Sequence, residues 1–163
     1  VCVQFHCSDL PKGRGGSPIQ NQILLNMNKT KLTAFKVSKD LDAGPICMKS
    51  KLSLKGSALE ILKRIEKTSI QMINKIIKKR NLIFIKQKGQ TSFFKRREQK
   101  DSKINFNKIL TVKKLYNFLR MLDAPAYPKA FIILNKFRFS FNGVKMYKNT
   151  INAKVQIIKN EKK

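Results

Sequence analysis

At 163 residues the chain is long enough for one domain with a real core, or one and a fraction. Hydrophobic residues make up 42% and charged residues 28%, which excludes a disordered chain, and no apolar run approaches the roughly 18 residues that span a bilayer. Lys and Arg number 36 against 9 Asp and Glu, a net charge of +27. That charge fits an RNA or phosphorylated partner. It also fits the Lys-, Ile- and Asn-rich composition of AT-rich codons, which leaves the scarcity of acids unexplained. The basic residues run along the whole chain without the interleaved aromatics that stack bases.

Val1 to Phe5 reads as a buried strand, followed by His6, the single histidine. The chain opens in this strand with no initiator Met and no secretory leader pattern, so a truncated chain is expected. A loop rich in Gly and Pro follows, Ser8 to Gly16. A titratable ring at a strand end, opening into such a loop, is where α/β folds place their chemistry, although a lone histidine is more often a packed or surface residue. Ser17, Pro18 and Gln20 predict an N-cap, a first-turn proline and a capping box for a first helix.

Leu32 to Val37 and Ile46 to Leu54 read as strands on either side of an Asp40–Pro45 turn cluster. Ser57 and Glu60 form a second capping box. Ala58, Ile61, Leu62, Ile65, Ser69, Met72, Ile73 and Ile76 then recur at helical spacing to about Lys79. Lys63, Lys67, Lys75 and Lys78 on the other side read as a solvated face. Leu82 to Ile85 is a short strand candidate, and Gln87 to Ser102 a polar loop. Thr111 to Met121 is a second amphipathic helix, broken by Pro125 and Pro128. Ala130 to Leu134 and Phe137 to Phe141 read as a hairpin about Asn135-Lys136, with Val155 to Ile158 a last strand and Lys159 to Lys163 a frayed tail.

Cys2, Cys7 and Cys47 are an odd set with no C-x-x-C pair, which suits a reducing cytoplasm. Cys2, His6 and Cys7 lack a fourth zinc ligand and the usual spacing, so no metal is expected. Cys7 as nucleophile beside His6 is disfavoured, because neighbours on a strand point to opposite faces.

Taken together, Phe5-His6-x-x-Asp9-Leu10-Pro11-x-Gly13-Arg14-Gly15 and Leu41-Asp42-Ala43-Gly44, with a helix and a strand between, resemble the 10-formyltetrahydrofolate-dependent formyltransferases. The resemblance runs from Val3 to about Ile83. It implies an α/β fold: the C-terminal half of a Rossmann-like formyltransferase domain plus a small α+β C-terminal extension. The expected organisation is catalytic half-domain over 1–86, basic linker over 87–105 and a helix-plus-hairpin region over 106–163. A missing N-terminal half would hold the first strands of a parallel sheet.

The resemblance carries His6 over as the catalytic histidine and Asp42 as the catalytic aspartate. The family's Asn, two residues before the histidine, is Gln4 here. Gln keeps the amide donor but sets it one methylene further out, and a misplacement of about 1 Å can cost on the order of 100-fold in rate. By the same resemblance, Lys39, Asp40 and Leu41 lie along the pterin of 10-formyltetrahydrofolate, the formyl donor. Arg14 is a candidate acceptor contact; the glycines around it also suit a tight turn into the helix.

A second block, Lys95-Arg96-Arg97-x-x-x-Asp101-Ser102-x-Ile104 and later Pro125-x-x-Pro128-x-Ala130-Phe131, looks like the amino-sugar members of the family. Arg96 and Arg97 then become candidate bidentate donors to acceptor phosphates, or simply a solvated basic loop. The expected activity is formyl transfer to a primary amine of a small molecule, with an amino-sugar nucleotide favoured and methionyl-tRNA the alternative. A reading of another class is an inactive basic RNA-binding or scaffold protein on the same fold. The expected location is cytoplasmic, with no membrane partner.

The residue types suit the chemistry on their own terms. An imidazole can take part in proton transfer near neutral pH. An amide donor aimed at a developing oxyanion stabilises it by roughly 3 kcal/mol. A carboxylate beside the imidazole orients it and favours its charged form. Asp before Ala-Gly is also an ordinary turn residue.

Overall fold

The computed structural model describes residues 1–159; the end of the expected frayed tail lies outside the described residues. Strand β1 (Val3–His6) pairs antiparallel with β3 (Lys29–Lys36), and β3 with β4 (Ile46–Ser53), in the order β1-β3-β4. The register sets His6 opposite Thr33, and Thr33 opposite Lys49. Between β1 and β3 come the two-residue strand β2 (Arg14–Gly15) and helix α1 (Pro18–Leu24).

Helix α2 (Ala58–Ile77) follows the sequence expectation closely. Ser57 accepts from the Glu60 amide, and the Glu60 carboxylate accepts from Ser57 N at 2.7 Å, so two of the helix's orphan donors are paired. Its Met72 packs with Leu32 and Ala34 of β3, with Ile65 and Ile76 alongside. Lys63, Lys67, Lys75 and Lys78 are exposed, as a solvated face requires. Ile73 departs from the expected stripe and is 40% exposed.

The chain then runs through β5 (Phe93–Phe94), a 3₁₀ turn Gln99–Ser102 and helix α3 (Val112–Arg120), capped by Thr111. A second antiparallel sheet, β6 (Ala130–Leu134), β7 (Phe137–Tyr147) and β8 (Thr150–Lys159), closes the described chain. One core joins the two ends: Ile23 of α1, Leu54 after β4 and Ile61 of α2 pack with Phe118 and Leu119 of α3, Ala130 and Val144. Burial of each such side chain contributes about 1.5–3 kcal/mol, so this shared core holds the short helices α1 and α3 in place.

Three expectations need correction. Leu82 to Ile85 is no strand: Ile85 makes a single bridge to Ile46, too little to extend a ladder. Ser17 does not cap α1; it sits at φ 50, and its hydroxyl accepts from the Arg97 amide instead. The last strand is longer than expected, because β7 continues past Phe141 and offers a partner along its length.

Arg120 is 3% exposed, with no ion pair to a carboxylate among the described residues. Its Nη1 donates to the carbonyls of Leu54 and Gly56, both at 2.7 Å, and its Nε to Asn117 Oδ1 at 2.8 Å. Arg120→Ala leaves those acceptors buried and unpaired, at about 1–3 kcal/mol each. Urea unfolding of the variant should show a loss of about 2–5 kcal/mol, with Arg120→Lys recovering part of it.

Asp9 bonds Lys49 Nζ at 2.5 Å and Lys31 Nζ at 3.1 Å. Burial works to raise its pKa, but the two lysines outweigh burial and hold it below the ordinary carboxylate value. The stability this contributes is present above the unfolded pKa of about 3.9 and is lost as pH falls through the lower folded value. Asp9 is half-exposed, so the contribution is under about 1 kcal/mol. In thermal unfolding across the acid range, Asp9→Asn should destabilise the protein near neutral pH and lessen its further loss below about pH 4.

Candidate active site

The site forms where the end of β1 meets two glycine-containing loops. His6 closes β1 and is 7% exposed. Its Nε2 lies 2.7 Å from the Gly13 carbonyl oxygen. A carbonyl only accepts, so the network assigns a proton to Nε2. The other ring nitrogen, Nδ1, lies 3.5 Å from Asp42 Oδ2. Asp42 is 6% exposed, and the same Oδ2 accepts from the Gly15 amide at 2.8 Å.

Backbone geometry explains the residue types. Asp42 stands at φ 50, the left-handed conformation that Asp tolerates better than most residues. Gly15 stands at φ 92, and a Cβ there would sit 2.5 Å from the Phe94 carbonyl. A Cβ on Gly44 would sit 1.7 Å from the Lys36 carbonyl. The glycine loop is held by the segment around β5: Gly13 N donates to Ser92 Oγ, Arg14 N to Ser92 O and Gly16 N to Phe94 O, at 2.9–3.0 Å.

The Asp42 loop is held by Gln87. Its Nε2 donates to the carbonyls of Asp42 and Gly44, each at 2.8 Å, and its Oε1 accepts from Arg14 Nη2 at 2.7 Å. Sequence reasoning missed Gln87, Ser92 and Phe94, because a polar stretch without periodicity gives no local sign of its partners. One indirect sign exists: the loop's backbone amides need acceptors from somewhere.

His6 and Asp42 are therefore brought together, and Arg14 reaches the Asp42 loop through Gln87, two hydrogen bonds away. Arg14 is half-buried, its Nε is shielded from solvent without a partner, and its guanidinium lies 5.9 Å from the Phe93 ring. Gln4 is exposed on β1 opposite Phe35, two residues before His6 and hence on the same strand face. Lys39, Asp40 and Leu41 are exposed just before Asp42.

Arg96 and Arg97 stand apart from His6. With Ser17, Gln20 and Tyr127 they line a cavity of about 310 Å³. Arg96 is exposed, whereas Arg97 is half-buried, bonded through Nη2 to the Asp101 carbonyl and 5.8 Å from the Phe118 ring. Burial lowers the Arg97 pKa, with Asp101 opposing. A larger cavity, about 800 Å³, opens between Leu25, Met27, Leu52 and Phe94 and shares Gly13 with the site.

A buried histidine at a strand end, facing a buried carboxylate on a neighbouring turn, is an arrangement able to hold and exchange protons. Residues 99–158 match the family described as the methionyl-tRNA formyltransferase C-terminal domain. The methionyl-tRNA formyltransferase structure from Clostridium thermocellum is 42% identical, with a TM-score of 0.91 over 97% of this chain and 69% of its own. The chain belongs to the methionyl-tRNA formyltransferase family of formyltransferases.

Methionyl-tRNA formyltransferase of Thermotoga maritima is 33% identical over 105 residues, covering 64% of this chain and 31% of that protein. The sugar 3N-formyltransferase WlaRD, solved in the presence of dTDP and 5-N-formyl-THF, shares the fold at 21% identity and a TM-score of 0.67, over 98% of this chain and 65% of its own. The chain spans less than half the length of the curated relatives it matches.

The turn geometry yields a test. Gly44→Ala puts a methyl group into the Lys36 carbonyl, so the Asp42 turn must move. Thermal unfolding should show a marked loss of stability, and a structure of the variant should show Asp42 displaced from His6.

Proposed function

We propose that the protein carrying this chain transfers a formyl group to a primary amine, with His6 and Asp42 as its acid–base pair. The observation that carries this reading is their convergence at 3.5 Å, both nearly buried, from positions far apart in sequence. The same convergence favours an enzyme over an inactive basic scaffold.

His6 holds a proton at Nε2 against the Gly13 carbonyl, and the ring gives up that bond when it offers the proton to the oxygen of the formyl carbon as that oxygen gains charge. Asp42 faces Nδ1, so a second proton taken up there meets a carboxylate already in place. The Gly15 amide holds Oδ2, which keeps the carboxylate oriented while the ring exchanges protons. Gln4 occupies the family's amide position and supplies a second donor from the same strand face.

The donor we propose is 10-formyltetrahydrofolate, which supplies the formyl carbon. The residues at Lys39, Asp40 and Leu41 fit such a group. They are open, and Leu41, 64% exposed, offers an apolar contact for a flat ring beside backbone groups that can hydrogen-bond it. We read the chain as the C-terminal half of a catalytic domain over 1–86, a basic linker over 87–105 and a C-terminal region over 106–163, acting in the cytoplasm.

For the acceptor, methionyl-tRNA now takes precedence over the amino-sugar nucleotide favoured from sequence. The likeness at 42% identity is to a methionyl-tRNA formyltransferase, whereas the sugar enzyme WlaRD is at 21%. The net charge of +27 also suits a polyanionic acceptor. A sugar nucleotide remains the second reading, supported by Arg96 and Arg97 on one cavity wall.

Incubating the full-length gene product with 10-formyltetrahydrofolate and either charged initiator tRNA or an amino-sugar nucleotide separates the two. Formylation of the tRNA is the expected result, and formylation of the sugar alone would reverse the choice. In the active assay, His6→Ala and Asp42→Asn should each lower kcat by about 10²–10⁴-fold.

A further inference from the structure

We propose that Gln87 is a positioning residue that ties the contact made by Arg14 to the placement of the Asp42 carboxylate against His6. The inference rests on His6 and Asp42 being the reacting pair.

The amide of Gln87 uses both of its ends. Nε2 donates to two carbonyls, those of Asp42 and Gly44, which flank Ala43 at the turn. Asp42 there is left-handed at φ 50, a conformation that is strained for a non-glycine residue and persists only when its surroundings hold it. The two hydrogen bonds grip the turn from both sides.

Arg14 and the two carbonyls together fix which way the amide faces. An amide can present oxygen or nitrogen to a given neighbour with little difference in shape. A guanidinium has only donors, so Arg14 Nη2 fixes Oε1 toward itself at 2.7 Å and turns Nε2 toward the Asp42 loop. Arg14 also retains a donor, Nε, that is shielded and unpartnered. An anionic acceptor group bound by Arg14 would therefore hold the guanidinium, the amide and the catalytic turn in one register. Gln87 itself touches neither His6 nor the Asp42 carboxylate in this network; it acts through the Asp42 backbone.

The experiment compares Gln87→Ala, Gln87→Glu and Asp42→Asn in the full-length protein. Gln87→Glu keeps an acceptor for Arg14 but sets a carboxylate against two carbonyls, so it removes the positioning bonds while preserving size. Both Gln87 variants should lower kcat about 10- to 100-fold, the scale of a misplacement near 1 Å. KM for the formyl donor should change less than threefold, and the kcat–pH profile should move in the direction seen with Asp42→Asn.

A second readout needs no activity. In protein labelled with ¹⁵N-histidine, the ring signals assigned to His6 by their loss in His6→Asn should shift in Gln87→Ala in the same direction as in Asp42→Asn. In an Arg14→Ala background the two carbonyls still orient Nε2 but Oε1 has lost its anchor, so Gln87→Ala should cost less than its effect alone on a logarithmic scale. If Asp42→Asn abolishes activity and moves the His6 signals while both Gln87 variants leave kcat within twofold and the signals in place, the proposal is overturned and the catalytic pair stands. If Asp42→Asn itself retains full activity, the catalytic pair falls, and the Gln87 proposal with it.

Discussion

A carboxylate that is 6% exposed is a costly thing to fold, and the geometry of the site follows from how Asp42 is paired. One oxygen accepts from the Gly15 amide and faces the His6 ring. For that amide to point inward, Gly15 adopts φ 92 against the Phe94 carbonyl, which excludes any residue with a Cβ. For the carboxylate to reach it, Asp42 adopts the left-handed conformation and Gly44 passes hard against Lys36. The parallel pairing of β2 with β5 then fixes the glycine loop from outside. Each constraint is short-range, yet together they join residues 6, 15, 42, 87 and 94.

The same economy governs the few acids in a chain of net charge +27. Glu60 caps α2, Asp101 accepts from the Glu98 amide, and Asp123 accepts from the amides of Gly143 and Val144. Asp9 holds two lysines. Most of the acids are thus committed to turns, caps or local pairs. The lysines of the α2 face keep no such partner among the described residues and stay in solvent. The basic surface is therefore a spread field rather than a built groove, which attracts a polyanion without defining where it docks.

What could be read from sequence was what is local. The Ser57–Glu60 box and the apolar stripe of α2 lie within single turns of one helix, and both are found as expected. Ser17 has the same residue types, Pro and Gln included, but its hydroxyl is taken by the Arg97 amide from 80 residues away. No local rule anticipates that competition. The two-residue strands β2 and β5 were illegible for a like reason: neither carries a period, and each exists only because the other is there. His6, Gly15 and Asp42 were singled out through a motif, whereas Gln87, which bonds the Asp42 turn, lies in a polar stretch that no pattern marks.

Arg97 shows how the C-terminal part bears on the site. Its guanidinium rests near Phe118 of α3, inside the core that α3 shares with β6 and β7, and bonds the Asp101 carbonyl. Its amide donates to Ser17, at the residue where the glycine loop passes into α1. A Cβ on Gly16 would sit 2.5 Å from the Arg96 Cα, so the two segments are in close contact there. Packing of α3 is thus linked through Arg97, Ser17 and Gly16 to the amide of Gly15 that holds Asp42. The Arg-Arg pair thus differs in placement: Arg96 is exposed on a cavity wall, while Arg97 holds the loop on which the carboxylate depends.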